Sequence, residues 1–228
     1  MRKKGVVITI DGPAGAGKST TARQVACRLR YLYLDTGAMY RAVGVGALRA
    51  GVDLDDTEAV GRLARTLTIE LRSNGNQQTI LNGEDISRAI RTSEASDAAS
   101  RVAVHPPIRD ILVARQQEMG RDGGIVLEGR DTGSVIFPDA ELKIFLVAHV
   151  EERAKRRLKE LTRRGEAAAF ETLVNQIRER DGRDRATQER FGPWPPPDAV
   201  LVDTTGLTIA EQVDRVVAMA MDRGVVVP

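Results

Sequence analysis

Five short runs of the chain are apolar almost without interruption: "VVITI" at 6–10, "YLYL" at 31–34, "GIVLE" at 124–128, "LKIFLVA" at 142–148 and "AVLVD" at 199–203. A strand with one wet face alternates apolar and polar residues. These runs do not, so they read as strands covered on both faces, as in a parallel sheet. Helical stretches separate them. "STTARQVACRLR" follows the first run, and "PPIRDILVARQQEM" precedes the third, with proline suited to a first helical turn. "VEERAKRRLKELTRR" and "AAAFETLVNQIRERD" follow the fourth run, and "TIAEQVDRVVAMAMDR" follows the fifth, opening with Thr208 and Glu211 in capping-box spacing. Strands alternating with helices predict an α/β three-layer sandwich around a five-stranded parallel sheet, joined by right-handed crossovers.

Two segments break this rhythm. "LTIELRSNGNQQTILNG" at 67–83 alternates apolar and polar residues around an Asn-Gly pair. That predicts an antiparallel hairpin within a small inserted β subdomain, 65–97, between core segments 1–64 and 98–228. "FGPWPPPDA" at 191–199 cannot continue a helix, because its prolines lack the N–H and clash with the preceding turn. It reads as a linker into the last strand, in preference to a proline-rich ligand for a partner.

Composition narrows the class without naming it. The chain has 228 residues, 42% hydrophobic and 29% charged, ordinary values for a globular protein. A formal net charge of +2 gives little support to nonspecific nucleic-acid binding. The arginines are nonetheless crowded into "EERAKRRLKELTRRG" and "IRERDGRDR", which taken alone read as solvated helix faces. Cys27 is the sole cysteine, so no internal disulfide forms, and its place in a helical apolar pattern predicts a core position. No apolar stretch reaches the roughly 18 residues of a membrane span. "MRKKGVVITI" opens like a signal peptide, but Asp11 cuts the apolar run short. A cytoplasmic monomer with no membrane or nucleic-acid partner is expected.

The first chemistry is at 12–19. Gly12, Pro13, Ala14, Gly15, Ala16, Gly17, Lys18 and Ser19 fit G-x-x-x-x-G-K-[ST] at every fixed position, between an apolar run and a helix. Glycines let successive N–H groups turn inward on phosphate oxygens, and the helix N-terminus adds its dipole. Lys18 is placed for the β- and γ-phosphates of ATP, the Ser19 hydroxyl for Mg²⁺, and Thr20 continues the site. No N-K-x-D guanine signature and no strand ending in Asp-Glu is present, so a GTPase or a water-activating ATPase is disfavoured. The arginine-rich helix after the fourth strand fits a lid that excludes water from the γ-phosphate, as a kinase requires.

Ligands of open α/β sheets bind beyond the carboxyl ends of strands. "LDTGAMYRA" puts Thr36, Tyr40 and Arg41 at that edge, with Asp35 or Thr36 also suited to cap a helix. "LEGRDTGSV" puts Arg130 and Asp131 there, a guanidinium that can grip phosphate and a carboxylate that can accept from the amino group of a base. Arg180 and Asp184, four residues apart, share a helix face.

In order and spacing, "ITIDGPAGAGKST", "LDTGAMYR", "NGEDISRAIRT", "GRDTGSVIFPDAELKIFL", "ERAKRR" and "RERDGRDR" resemble the bacterial cytidylate kinases over nearly the whole chain. That resemblance implies a P-loop kinase core with a β insert on the CMP side, a helical lid at 149–166, and transfer of the ATP γ-phosphoryl group to CMP or dCMP with Mg²⁺. It implies that Thr36, Ser100, Arg109 and Asp131 recognise cytosine, with Tyr40 beside them. Arg41 and Arg130 would hold the acceptor phosphate, Arg180 and Asp184 would contact the sugar, and Arg153 and Arg157 would close over the transferring group. Two positions depart from the family pattern. Thr187 stands where another phosphate-binding arginine is usual, leaving Arg185 and Arg190 as nearby replacements, and Thr132 stands where an apolar residue is usual. Two readings stay open beside this one: a P-loop kinase for UMP, AMP or a small metabolite, and a nucleotide-binding switch without phosphotransfer.

Overall fold

The computed structural model describes residues 2–74, 76–163 and 165–225. Its central sheet has five strands: β1 (Val7–Asp11), β2 (Leu32–Asp35), β6 (Ile125–Glu128), β7 (Leu142–Val147) and β8 (Val200–Asp203). Their order across the sheet is β2-β6-β1-β7-β8, and every pairing is parallel. Each predicted apolar run supplies one strand, within a residue or two at either end.

The continuous apolar runs have a simple cause. Ile8 and Ile10 of β1, Val126 of β6 and Ile144 and Leu146 of β7 pack on one face, against α1 (Lys18–Leu29) and α8 (Ile209–Met221). Val7, Leu34, Ile125 and Leu127 pack on the other face with Ile136 and Phe137. Alternate residues point to opposite faces and both faces are packed, so the runs stay nearly apolar, and the polar residues within them, Thr9 and Lys143, are buried too. Helix α8 begins with the expected capping box of Thr208 and Glu211.

A second apolar cluster carries the predicted "PPIRDILVARQQEM" helix together with three helices whose extent the sequence pattern left unmarked. It joins α2 (Thr36–Arg49), α3 (Thr57–Thr66), α4 (Ser93–Val102) and α5 (Pro106–Gly120). Asp35 caps α2 and accepts a hydrogen bond from the Ala38 N–H at 3.0 Å. Gly44 of α2 lets α4 approach, since a Cβ there would lie 2.9 Å from that of Ala98. Glycines at such contacts lower helix propensity while permitting the packing, which is why α2 reads poorly from sequence.

The predicted hairpin is present as β3 (Ile69–Asn74) and β4 (Asn76–Leu81), paired antiparallel with Ile69 opposite Leu81. The turn residue Gly75 lies outside the described residues. A short third strand, β5 (Glu84–Asp85), completes a separate antiparallel sheet. The Asp35 N–H donates to Gln77 Oε1 at 3.1 Å and ties this sheet to the carboxyl end of β2.

Two further helices complete the edge above the sheet. In α6 (Val150–Arg163) and α7 (Phe170–Glu189), Ala154 and Leu161 pack on Leu173, Val174 and Ile177. "RERDGRDR" is the continuation of α7, not a separate element. The 191–199 segment leads into β8 and sets the Trp194 ring edge-on to Phe145, with centroids 5.2 Å apart. One expectation is corrected: Cys27 is exposed. The buried positions of α1 are Lys18, Thr21, Ala22, Val25, Ala26 and Leu29, and Cys27 falls off that face.

Gly12 follows β1 with φ +139°, and a Cβ there would lie 2.1 Å from the Leu146 carbonyl oxygen. Gly12→Ala is therefore expected to destabilise the protein by roughly 2–5 kcal/mol, the sum of a strained backbone and a steric displacement. Urea unfolding of the variant beside the wild type measures this.

Candidate functional site

At the carboxyl ends of β1, β2 and β6 the chain encloses a cavity of about 220 Å³. The phosphate loop forms its floor. Gly17 caps α1 in the left-handed region with φ +99°, and Lys18 folds back so that its Nζ donates to the Pro13 carbonyl at 2.8 Å. Of the loop residues, Ala14, Gly15, Lys18 and Ser19 line the cavity.

The nine acceptor-side candidates from the sequence all line this same space: Thr36, Tyr40, Arg41, Ser100, Arg109, Arg130, Asp131, Arg180 and Asp184. Four segments far apart in the chain deliver them. Thr36 Oγ1 donates to the Glu128 carbonyl at 2.9 Å, joining the start of α2 to the end of β6. Arg41 pairs with Asp35 at 2.6 Å. Arg130 and Asp131 do not pair with each other. Arg130 Nε donates to Asp184 at 2.8 Å and its Nη1 donates to the Gly12 carbonyl at 3.1 Å. Asp131 pairs with Arg109, whose guanidinium lies 3.9 Å over the Phe191 ring. Arg180 is 3.8 Å from Asp184, so Asp184 lies between two guanidiniums.

Burial and charge act together on these groups. Burial alone would raise the Asp184 carboxyl, but Arg130 and then Arg180 outweigh it and hold the group below its ordinary value. Burial lowers the Arg130 guanidinium, yet Asp184 reverses this and leaves it raised. Burial, with Arg130 adding to it, lowers Arg180 to about 10. Lys18 is lowered to about 7, by burial first and by Arg130 second.

Asp11, at the end of β1, is fully enclosed. It accepts hydrogen bonds from the Thr132 N–H at 2.9 Å, the Thr132 hydroxyl at 2.8 Å and the Gly133 N–H at 2.8 Å. Burial raises it to about 6 against those bonds. The polar Thr132 thus has a specific partner: its hydroxyl helps anchor the π-helical turn Thr132–Ile136 that follows Arg130 and Asp131.

A second cavity, of about 500 Å³, opens on the other side of Ala14 and Gly15. Arg153 and Arg157 both line it. Arg153 is held by Asp181 of α7 at 2.9 and 2.6 Å and donates to the Ala14 carbonyl at 3.1 Å. Arg157 pairs with Glu160 at 2.8 Å. Arg156, not singled out from sequence, reaches across to the Thr204 carbonyl at 2.7 Å and to the Gly15 carbonyl at 3.5 Å. Thr187 lines the first cavity, while Arg185 pairs with Glu189 and Arg190 lies over Phe191; neither arginine lines it.

Glu128 is the main residue that sequence reading missed. It ends β6, is buried, and accepts the Ser19 hydroxyl at 2.6 Å. Burial first, then the neighbouring Asp35, raises its carboxyl. The available signal was one carboxylate at the end of an apolar run, "GIVLE", easily passed over in a search for two in succession. A hydroxyl backed by a carboxylate offers hard oxygen donors suited to Mg²⁺. Among the described residues no group of three or more His, Cys, Asp or Glu is arranged to hold a metal ion.

A five-stranded parallel sheet, a complete phosphate loop and a guanidinium-rich cavity beside it define a P-loop kinase. The sequence model of the cytidylate kinase family matches residues 8–222. A cytidylate kinase of Geobacillus sp. (strain WCH70) is 46% identical over 223 residues, which span 97% of this chain and 99% of that protein. One of Bacillus pumilus (strain SAFR-032) is 45% identical over 220 residues, or 96% and 97%. The crystal structure of an uncharacterized protein from Eubacterium ventriosum ATCC 27560 shares the fold, with a TM-score of 0.52 at 11% identity over 95% of this chain and 98% of that one. The chain belongs to the cytidylate kinase family.

The lowered Lys18 has a measurable consequence. Its neutral form prevails in the ligand-free protein above about pH 7. A triphosphate placed beside it favours the ammonium, so binding draws a proton onto Lys18. Titrating ATP into the protein near pH 8 in buffers of different ionisation enthalpy is expected to register uptake of about one proton. Lys18→Met removes that uptake.

Proposed function

We propose that this site transfers the γ-phosphoryl group of ATP to CMP or dCMP, giving ADP and CDP or dCDP. The observation that carries the reading is one cavity lined by Lys18 and Ser19 of the phosphate loop together with all nine acceptor-side residues. Donor and acceptor phosphates then meet at the lip shared by Lys18, Arg130 and Arg180.

An oxygen of the acceptor phosphate attacks the γ-phosphorus in line, and the bond to the β–γ bridging oxygen breaks, leaving its electron pair on ADP. The acceptor is a phosphate monoester, mostly ionised at neutral pH, so no strong general base is needed. The protein's work is positioning and charge stabilisation. Arg41 and Arg130 hold the acceptor phosphate. Asp184 accepts from ribose hydroxyls while it keeps Arg130 and Arg180 in place. Lys18 lies along the donor phosphates, and Arg153, released from Asp181, turns to the transferring group from the lid side. Ser19, with Glu128 behind it, would hold Mg²⁺, which when bound neutralises charge on the phosphates.

Asp131 and Arg109 form the base end. A carboxylate accepts from the cytosine amino group and a guanidinium donates to the ring acceptors, a combination that uracil, with a carbonyl in place of that amino group, does not satisfy.

A coupled ADP-release assay with ATP and CMP, dCMP, UMP or AMP tests the assignment. CMP or dCMP is expected to be the best acceptor, and highest activity with AMP would overturn the reading. Arg130→Ala is expected to lower turnover on the order of 10²–10³-fold, as loss of a placed charge does; near-normal kinetics would remove its role. Asp131→Ala should raise KM for CMP and narrow the CMP-to-UMP preference, with an unchanged ratio arguing against cytosine recognition by this residue.

A further inference from the structure

Six buried side-chain polar atoms have no hydrogen-bond partner among the described residues, and three belong to side chains lining the acceptor cavity: Arg41 Nε, Arg180 Nε and Gln188 Oε1. Buried polar groups are seldom left unpaired, so an orphan on a side chain that lines a binding cavity calls for a partner. Arg41 and Arg180 already have roles in the proposed reaction. Gln188 has none. It is 6% exposed, and its main-chain carbonyl accepts from the Phe191 and Gly192 N–H groups to close α7, so the chain leaves the helix there in a defined way.

Its place along the cavity indicates what it meets. Arg180, Asp184 and Gln188 follow one another at four-residue intervals on one face of α7. Arg180 and Asp184 lie with Arg130 at the phosphate end. Gln188 is one turn further from the phosphates, and three residues on, Phe191 lies under the Arg109 guanidinium that pairs with Asp131. The side-chain amide therefore borders the base end.

We infer that Gln188 is a base-contacting residue of the acceptor site, its side-chain amide hydrogen-bonding the pyrimidine ring. The inference rests on the proposed CMP kinase activity. A primary amide carries both a donor and an acceptor and can turn over, so it meets the edge of either pyrimidine. Gln188 thus contributes affinity for pyrimidines in general, while the fixed charges of Asp131 and Arg109 select cytosine.

The test is Gln188→Leu, close in volume and without the amide. Direct calorimetric titration of CMP and UMP is combined with steady-state kinetics and thermal unfolding of the ligand-free protein. CMP and UMP affinities are expected to fall by the same factor, about tenfold for one lost hydrogen bond, with kcat held within about twofold. The ligand-free variant should unfold at the wild-type temperature or above it, because an unpaired buried oxygen has been removed. Unchanged CMP affinity would overturn the inference, and so would a fall in unfolding temperature together with kcat, which marks a packing role. A loss confined to CMP would overturn the shared-pyrimidine role. The wild-type control separates the two levels: if it fails to phosphorylate CMP, the kinase reading fails; if it succeeds while Gln188→Leu binds CMP normally, only the role of Gln188 falls.

Discussion

The Arg130 guanidinium is the tie on which the site depends. It is enclosed where three segments meet, donating at once to the Asp184 carboxylate of α7 and to the Gly12 carbonyl at the start of the phosphate loop. A charge so placed is tolerable only when paired and hydrogen-bonded, so the position of α7 over the sheet and the presence of Arg130 require each other. The pairing also decides the electrostatics around it. Burial lowers Lys18 and Arg180 and Arg130 adds to it, while Arg130 and Arg180 outweigh burial at Asp184 and hold its carboxyl below the ordinary value.

The same device recurs around both cavities. Arg41 is held by Asp35, Arg109 by Asp131 and Arg153 by Asp181. Each carboxylate fixes the guanidinium it pairs with and so limits that side chain's freedom in the ligand-free protein. Lys18 is enclosed with no ion pair to a carboxylate among the described residues, its Nζ resting on the Pro13 carbonyl. That difference makes Lys18 the group whose protonation responds most to an incoming anion. Asp11 plays the structural counterpart at the last position of β1, just before the phosphate loop, holding the turn after Asp131 by accepting three hydrogen bonds.

Legibility from sequence followed the range of the interaction involved. Strands β1, β2, β6, β7 and β8 were readable because burial on both faces leaves continuous apolar runs, and the phosphate loop because its function needs fixed residues at fixed spacing. Helices α2, α3 and α4 were not, since Gly44 and the small residues of "SEASDAASRV" weaken the periodic signal while allowing close packing. Cys27 read as core because neighbouring Val25, Ala26 and Leu29 are apolar; the rotation of about 100° per residue from Ala26 was enough to place it outside. Arg156 and Arg157 are adjacent and identical in kind, and only the path of α6 past the phosphate loop shows that Arg156 touches the Gly15 and Thr204 carbonyls.

The sequence by itself determined the parallel sheet, the phosphate loop at its first strand, and the residue types drawn to the acceptor side. Tertiary structure decided the partners. Arg130 is joined to Asp184 and Gly12 instead of its neighbour Asp131, Glu128 is brought under Ser19, and Gln188, on the cavity wall, is left with an unpaired buried oxygen among the described residues. The division has a physical reason. Strand burial and loop curvature are set by residues adjacent in the chain. Ion pairs and hydrogen bonds of the site join segments far apart in the chain, Arg130 and Gly12 by 118 positions and Arg156 and Gly15 by 141, and their meeting depends on how helices cross over the sheet.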